Sequence, residues 1–269
     1  MVVVSGSTGT FRERLRERLS SAGVFPKKKL GQNFLADERI LDREVELSGI
    51  KKGDTVLEIG PGLGFLTGKL AEVCGNVVAI EKDHSFEEAL GELKLLGVSV
   101  IYGDALKTEL PEFDVCVSNP PYNISSPLLF RLLERDSYRT LILSFQEEFA
   151  RRLIAKPGER NFGRLGASTG FVADIEFFDR IPRQSFYPPP KVDSRIIRVT
   201  RKKGRLVSIE DWKVLCDTTL NWLFQHPAKN VKNALKRKMT EKSAIREELL
   251  KKRVRTLTRE EMLEIHRTI

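Results

Sequence analysis

Short apolar runs alternate with amphipathic stretches through the middle of the chain. The apolar runs predict strands at residues 55–60, 76–81, 98–104, 113–119 and 140–145. The stretches between them have the spacing of helices, which begin at about residues 63, 85 and 127. Strands that are separated by helices form a parallel sheet covered on both faces. The pattern therefore predicts an α/β fold with a mostly parallel sheet.

The two ends of the chain have different patterns. Thr10 and Glu13 form a capping-box pattern before a short amphipathic helix. Residues 171–181 and 194–202 read as two more strands, which we expect to form an antiparallel hairpin that closes the sheet. We therefore predict three parts: an N-terminal helical extension at 1–26, the α/β domain at 27–203, and a small basic helical domain at 204–269.

The positive charge is concentrated near the C-terminus. The net charge of the chain is +9, but residues 183–269 hold 22 Lys and Arg against 10 Asp and Glu, whereas residues 1–182 hold 24 against 27. Solvated helix faces often carry runs of charge. An imbalance of this size nevertheless favours a polyanionic partner, because lysine and arginine bind phosphates and release counterions. Nucleic acid is the predicted partner.

The remaining composition argues against a disulfide scaffold, a metal site and a membrane span. The apolar run at residues 2–4 is too short for a signal sequence or a span, so we expect a cytoplasmic protein. The cysteines are isolated in the sequence and are predicted to be buried thiols; they are Cys74, Cys116 and Cys216. The histidines are scattered, so no catalytic metal is predicted; they are His84, His226 and His266.

A glycine-rich turn follows the first predicted strand of the sheet. In VLEIGPGLGFLT, Gly60, Gly62 and Gly64 lie between a strand and a helix, where glycine permits positive φ and close approach of a ligand to the backbone. The G-x-G-x-G spacing differs from the G-x-G-x-x-G of dinucleotide-binding folds, and no G-x-x-x-x-G-K-[ST] is present. The turn therefore weighs against NAD and ATP, although glycines also serve purely structural turns.

Polar side chains end the next three strands. Glu81 stands 21 residues after Gly60, where a carboxylate can accept both hydroxyls of a ribose. Asp104 ends the third strand and suits an adenine amine, and Asn119 ends the fourth. Each could be a solvated strand end, but together with the glycine turn they resemble the S-adenosylmethionine site of class I methyltransferases.

The segment SNPPY at residues 118–122 is an unusual loop. Two successive prolines exclude a helix interior or a central strand, so a plain proline-rich turn is one interpretation. The signature [NDS]-P-P-[YFW] is typical of methyltransferases that act on adenine N6 or on a glutamine amide. If the Asn119 side-chain oxygen and the Pro120 carbonyl each accept an N6 hydrogen, the lone pair of this poor nucleophile turns towards the methyl donor. Tyr122 can stack on a flipped-out base.

Three further segments narrow the family. KLGQNFL at residues 29–35, the Gly103-Asp104-Ala105 turn and SFYPPPKVDS at residues 185–194 together resemble the KsgA type of ribosomal RNA adenine dimethyltransferase. The resemblance extends from about residue 27 to residue 235. It implies a class I methyltransferase, Rossmann-like sheet of seven strands with an antiparallel closing strand. It also implies a monomeric enzyme of ribosome biogenesis that dimethylates N6 of two adjacent adenosines near the 3′ end of small-subunit rRNA.

The resemblance also implies roles for individual residues. Asn33 and Leu35 would close over S-adenosylmethionine with Gln32 beside them, and Ala105 would help Asp104 to hold the adenine. The implied cofactor-binding residues are Gln32, Asn33, Leu35, Gly60, Gly62, Gly64, Glu81, Asp104, Ala105 and Asn119. The implied catalytic residues are Asn119, Pro120, Tyr122 and Phe186, with Phe186 stacking on the base opposite Tyr122. The loop at 156–164 and the C-terminal helices would hold rRNA phosphates.

The chain departs from the family pattern at several places. Pro120 stands where the family usually has Leu or Ile, but the role of that position requires only its carbonyl. Residues 225–228 (QHPA) stand where relatives tend to carry more Arg and Lys, and residues 1–26 match no part of the family pattern.

Three alternatives stay open at this point. They are a large-subunit rRNA adenine methyltransferase of the Erm kind, a protein-glutamine methyltransferase, and a ribosome-assembly or transcription factor whose binding matters more than its catalysis. No motif shows which nucleotides are modified or in what order. The motifs also do not show whether one or two methyl groups are added, or which assembly state of the subunit is recognised.

Overall fold

The computed structural model describes residues 9–240 and 243–269. The apolar run at residues 2–4 lies outside this range. The described chain divides into two compact units. The first extends to Glu147 and includes Phe177–Val199, and the second comprises Glu148–Glu176 and Thr200–Ile269. The second unit thus contains residues 148–176, which the sequence analysis assigned to the α/β domain. The predicted domain boundaries at residues 26 and 203 stay a prediction.

The fold is mixed α/β, as predicted, with a mostly parallel sheet of seven strands in the order β4-β3-β2-β5-β6-β9-β7. β1 and β8 form a separate antiparallel pair. The strands are β1 Phe34–Leu35, β2 Val56–Ile59, β3 Val77–Glu81, β4 Val98–Tyr102, β5 Val115–Ser118, β6 Thr140–Gln146, β7 Ala173–Ile181, β8 Phe186–Tyr187 and β9 Ser194–Arg201.

The order of the strands creates one switch point. The chain runs outward from β2 through β3 to β4 and returns to place β5 on the other side of β2, and all of these pairs are parallel. Loops that leave β2 and β5 therefore diverge and open a crevice at the carboxyl ends of these strands. Several strands are shorter than predicted because residues such as Gly60, with φ 73°, already belong to the turns that follow.

Helices of the first unit cover the sheet. They are α1 Phe11–Ser21, α2 Glu38–Ser48, α3 Phe65–Cys74, α4 Glu87–Gly91 and α5 Ser125–Leu133, and α6 Glu147–Ile154 begins at the end of this unit. The predicted capping box of Thr10 and Glu13 is present, and Leu15 and Leu19 of α1 are buried. The helix predicted from residue 85 is reduced to α4 and flanking 3₁₀ turns, with a left-handed Gly97 after the second turn.

The second unit is mostly helical. Its helices are α7 Arg164–Thr169, α8 Ile209–Leu215, α9 Asn221–Leu223, α10 Val231–Leu235, α11 Glu247–Lys251 and α12 Arg259–Thr268, with a π-helical turn at Cys216–Leu220. Trp212 is buried at its centre, where its indole nitrogen donates a hydrogen bond to the Ser168 carbonyl at 2.8 Å. Within the described residues, no helix is long and apolar enough to span a bilayer.

The three cysteines are free and buried, as predicted. Burial raises the pKa of each thiol, so the thiolate form is disfavoured. They are therefore core residues.

Candidate active site

A cleft opens at the carboxyl ends of β2, β3 and β5. This is the switch point, where ligands of open α/β sheets bind. The predicted residues that line the cleft are Gln32, Asn33, Gly60, Gly62, Glu81, Asp104, Ala105, Asn119, Pro120, Tyr122 and Phe186. The structure therefore brings together eleven of the thirteen predicted site residues and leaves Leu35 and Gly64 outside the lining.

The glycine turn after β2 requires its glycines. Gly60, Gly62 and Gly64 have φ values of 73°, 55° and 79°, a region that side chains disfavour. A Cβ on Gly62 would lie 2.9 Å from a ring carbon of Phe34, and one on Gly64 would lie 2.6 Å from a methyl of Leu93. Gly64 is the N-cap of α3 and faces leucine side chains, which is why it does not line the cleft.

Glu81 is held by backbone groups on both sides. Its Oε2 accepts a hydrogen bond from the Gly62 N–H at 3.0 Å, and its Oε1 accepts one from the Asp83 N–H at 2.7 Å. Burial raises the pKa of this carboxyl. Each oxygen keeps a second lone pair, so the side chain can still accept two hydroxyl hydrogens from a ribose. Its orientation is fixed before any ligand binds.

Asp104 lies at the rim of the cleft after β4. Its Oδ1 accepts a hydrogen bond from the Leu106 N–H at 3.0 Å, and its Oδ2 forms an ion pair with Lys82 at 2.9 Å. These two contacts lower the pKa of Asp104, so the group is a carboxylate. Ala105 beside it is buried.

The LGQNFL segment is anchored through Asp83. The Gln32 amide donates a hydrogen bond to Asp83 at 2.9 Å, and Lys27 pairs with the other oxygen at 2.6 Å. Burial opposes the ionisation of Asp83, but these contacts and Ser85 together lower its pKa to about 2. The side chain of Gln32 therefore fixes the segment at the edge of the cleft.

Phe34 lines the cleft and Leu35 does not, while the predicted contact of Leu35 with the cofactor stays a prediction. β1 pairs with β8, so that Phe34 stands opposite Tyr187 and Leu35 opposite Phe186. Successive side chains of a strand point to opposite sides, and here Leu35 turns to the core while Phe34 lies against the glycine turn.

Asn119 is held in one orientation by a residue that the sequence analysis missed. Its Nδ2 donates a hydrogen bond to Glu44 Oε2 at 2.7 Å, and the Ser144 hydroxyl donates to Glu44 Oε1 at 2.6 Å. The Asn119 Oδ1 is buried and accepts no hydrogen bond from a described residue. The sequence signal for Glu44 was an acidic residue on the apolar face of α2, at helical spacing between the buried Leu41 and Leu47.

The two aromatic rings of the site meet edge to face. The centroids of Tyr122 and Phe186 are 6.4 Å apart and the ring planes differ by 74°. The Tyr122 hydroxyl shares a hydrogen bond with Ser194 at 2.7 Å, and burial raises its pKa to about 12. Because the two ring planes are not parallel, a base can stack between them only if one ring rotates. The stacking role of Phe186 stays a prediction.

Three buried carboxyls lie in and beneath the cleft. Burial raises the pKa of Glu44 to about 7. Burial, together with repulsion by the negative charges of Glu44 and Glu81, raises the pKa of Glu58 to about 8. The Oε2 of Glu58 has no hydrogen-bond partner among the described residues. Such a cluster favours a cation above it, because a positive charge lowers the cost of ionising these acids.

Two of the three histidines make a ring contact or a side-chain hydrogen bond. His84 stacks on Tyr102 with 4.9 Å between centroids, and His266 shares a hydrogen bond with Thr219 at 2.8 Å. Among residues 9–240 and 243–269, no group of three potential metal ligands is found. In the loop at 156–164, Lys156 and Arg160 are exposed.

The chain is similar to a known protein family and to known sequences. The family model of ribosomal RNA adenine dimethylase matches residues 25–269. A probable ribosomal RNA small subunit methyltransferase A of Pyrococcus furiosus is 41% identical over 94% of this chain and 96% of its own length. The corresponding Pyrococcus abyssi protein is 42% identical over 84% of this chain and 81% of its own.

Solved structures lead to the same group. A dimethyladenosine transferase from Plasmodium falciparum has a TM-score of 0.74 and 30% identity, and the match covers 86% of this chain and 95% of that one. The 23S rRNA methyltransferase ErmE has a TM-score of 0.67 and 27% identity, over 88% and 99% of the two chains. Because the family model matches residues 25–269, nearly the whole chain, the chain belongs to the ribosomal RNA adenine dimethylase family.

Proposed function

We propose that the protein transfers methyl groups from S-adenosylmethionine to N6 of two adjacent adenosines near the 3′ end of small-subunit rRNA. The observation that carries this proposal is the Asn119 Oδ1, a buried acceptor at the edge of the cleft that accepts no hydrogen bond from any described residue. A buried acceptor without a partner is costly, so an N–H donor on the substrate is its natural complement. The N6 amine of adenine supplies two such hydrogens.

The residues present fit S-adenosylmethionine. The positive-φ backbone of Gly60 and Gly62 lines the cleft without a side chain, and Glu81 offers two oriented oxygens to a ribose. The buried acids favour a cationic ligand. When bound, this cofactor supplies an electrophilic methyl group on a sulfonium. Glu81 would hold its ribose, and Asp104 with Ala105 would hold its adenine.

The catalytic loop acts by positioning and electrostatics. The Asn119 Oδ1 and the Pro120 carbonyl accept the two N6 hydrogens and turn the nitrogen lone pair out of conjugation with the ring. The two acceptors also stabilise the positive charge that develops on N6. Each transfer forms one N–C bond and breaks the methyl–sulfur bond of the sulfonium, whose electron pair stays on the sulfur. One N6 proton then passes to water. Because this proton leaves after the N–C bond has formed, no strong base is needed before the transfer. Pro120 lacks an N–H, but only its carbonyl takes part.

Tyr122 and Phe186 would bind the target base. An adenine must leave any helical stack to enter the cleft, and an aromatic face replaces part of the lost stacking. The Ser194 hydrogen bond fixes the Tyr122 ring, so Phe186 is the ring that we expect to move when a base binds.

The relatives favour small-subunit rRNA over the other substrates. The proteins from Pyrococcus, at 41% and 42% identity, are described as small-subunit enzymes, whereas the large-subunit enzyme ErmE is 27% identical. We also propose that the protein acts in the cytoplasm as a monomer, and that the exposed lysine and arginine residues of the loop at 156–164 and of the C-terminal helices bind rRNA phosphates. A role in ribosome assembly is compatible with catalysis.

The test uses labelled S-adenosylmethionine and small ribosomal subunits that lack the modification. The expected result is label in two adjacent N6-dimethyladenosines of small-subunit rRNA. Large ribosomal subunits serve as the control substrate. Label in the large-subunit rRNA instead, or a folded and cofactor-binding protein that labels neither, would overturn the proposal.

A further inference from the structure

Glu44 is a fully buried acid that belongs to no motif of the site. It lies on α2, which packs against β5 and β6. Both of its oxygens are used: Oε2 accepts from Asn119 Nδ2 and Oε1 accepts from the Ser144 hydroxyl. Burial of a carboxyl is costly unless its oxygens accept hydrogen bonds, so these contacts are what makes the position tolerable.

The contact with Glu44 decides which end of the Asn119 amide is available. An amide has one donor end and one acceptor end, and a rotation of about 180° exchanges them. Because Glu44 presents an acceptor, the Asn119 NH₂ group faces it. The Oδ1 atom accepts no hydrogen bond from a described residue and is available to a substrate donor. With the opposite orientation, Asn119 would present N–H groups to an amine that also donates, and the two would repel.

We propose that Glu44, held by Ser144, is a positioning residue that fixes the Asn119 amide with its oxygen towards the target amine. This inference rests on the proposed function. Glu44 reaches the substrate only through Asn119, so it belongs to the catalytic apparatus without contacting reacting atoms. The raised pKa of about 7 is consistent with the burial on which the geometry depends.

The experiment compares three variants with one control on the same subunit substrate. Glu44→Leu removes the acceptor. Glu44→Gln keeps it, because the glutamine oxygen can accept from Asn119 while its amide donates to Ser144. Ser144→Ala removes only the second bond. Thr140→Val is the control, since it removes a buried hydroxyl at the start of the same strand, outside the cleft lining.

The expected result is a selective loss of kcat. Glu44→Leu should lower kcat by about 100-fold while the Kd for S-adenosylmethionine changes by less than about threefold. Glu44→Gln should stay within about fivefold of the wild-type kcat, Ser144→Ala should lose about three- to tenfold, and Thr140→Val should be unchanged. If Glu44 serves stability alone, kcat per folded molecule stays near the wild-type value in every variant, and the proposal is wrong.

Two features keep the test decisive. If Glu44→Leu does not fold, the other variants decide. Glu44→Gln and Ser144→Ala both keep an oxygen at position 44 that accepts from Asn119. If they lose as much kcat as Asn119→Ala does, this oxygen has no effect on catalysis and the proposal is wrong. The second feature is a readout without substrate: the Asn119 side-chain NH₂ protons should be protected from exchange in wild type and Glu44→Gln and exposed in Glu44→Leu. If the wild type labels no adenine, the proposed function fails. The exchange of the Asn119 NH₂ protons, measured by NMR, still decides the role of Glu44.

Discussion

The guanidinium of Arg16 lies over the ring of Tyr187, with 4.9 Å between its central carbon and the ring centroid. One turn earlier in α1, Arg12 donates hydrogen bonds to the backbone carbonyls of Gln184 and Phe186. The helix therefore holds the short strand β8, which carries Phe186 into the cleft. This helix lies outside the residues that the family model matches.

Replacing Arg12 and Arg16 together by Ala should loosen β8. A cation–π contact and charged hydrogen bonds each contribute on the order of 1 kcal/mol, so the melting temperature should fall by about 3–6 °C. The KM for the subunit substrate should rise while the Kd for S-adenosylmethionine stays constant. Arg135→Ala is the control, because Arg135 is a surface arginine paired with Glu112. An unchanged KM in the double variant would show that α1 does not order Phe186.

Asn119→Ala should abolish transfer without abolishing cofactor binding. The substitution removes one of two acceptors for the N6 hydrogens, and loss of one such group lowers kcat by about 100- to 1,000-fold. Single-turnover methylation and calorimetric titration with S-adenosylmethionine measure the two properties separately. Persistent methylation would contradict the catalytic assignment of Asn119. Normal subunit assembly in cells that carry this variant would indicate an additional binding role.

Glu81→Ala should weaken cofactor binding more than it lowers kcat. The variant loses the ribose acceptors and leaves the N–H groups of Gly62 and Asp83 without their present partner. We expect the Kd for S-adenosylmethionine to rise by about 10- to 100-fold, which calorimetry can measure. Glu109→Ala, at an exposed acid outside the cleft lining, is the matched control. A Kd equal to that of the control would remove Glu81 from the cofactor site.

Tyr122→Phe and Phe186→Leu should have unequal effects. The first variant keeps a ring and loses only the hydrogen bond to Ser194, whereas the second loses an aromatic face. Base–aromatic stacking contributes about 1–3 kcal/mol, so Phe186→Leu should raise the KM for the subunit by about 5- to 100-fold. Tyr122→Phe should change it by less than about fivefold. The same KM in both variants would argue against stacking by Phe186.

The buried acids should make stability depend on pH. The folded-state pKa values of Glu44 and Glu58 are about 7 and about 8, above the ordinary 4.5, so the unfolded chain binds fewer protons between these values. Their contribution to the free energy of unfolding is full below pH 4.5 and falls as pH rises towards 8. Urea titrations at pH 5.5, 6.5, 7.5 and 8.5 should show a shallower decline for Glu58→Gln. Parallel curves for the variant and the wild type would mean that Glu58 keeps an ordinary pKa.

The sequence predicted those parts of the site that follow from local pattern. Gly60, Asp104 and Asn119 each come directly after an apolar run, and parallel pairing brings such positions to one edge of a sheet. Glu44 escaped prediction because it is 75 residues from Asn119, and only tertiary packing shows which strand faces α2. The place of Phe34 in the cleft lining also escaped prediction, because a two-residue strand is too short to show which of its side chains faces the cleft.

The hydrogen bond from the Gly62 N–H to Glu81 joins the first turn of the sheet to the end of the neighbouring strand. It follows that the glycine turn after β2 and the carboxyl end of β3 are energetically coupled. A change that moves the backbone at Gly62 also changes the orientation of the Glu81 carboxylate, and the free-energy effects of substitutions at these two positions do not add. If the cleft holds S-adenosylmethionine as proposed, its affinity depends on both strand ends together, and a change at one strand end alters the contribution of the other.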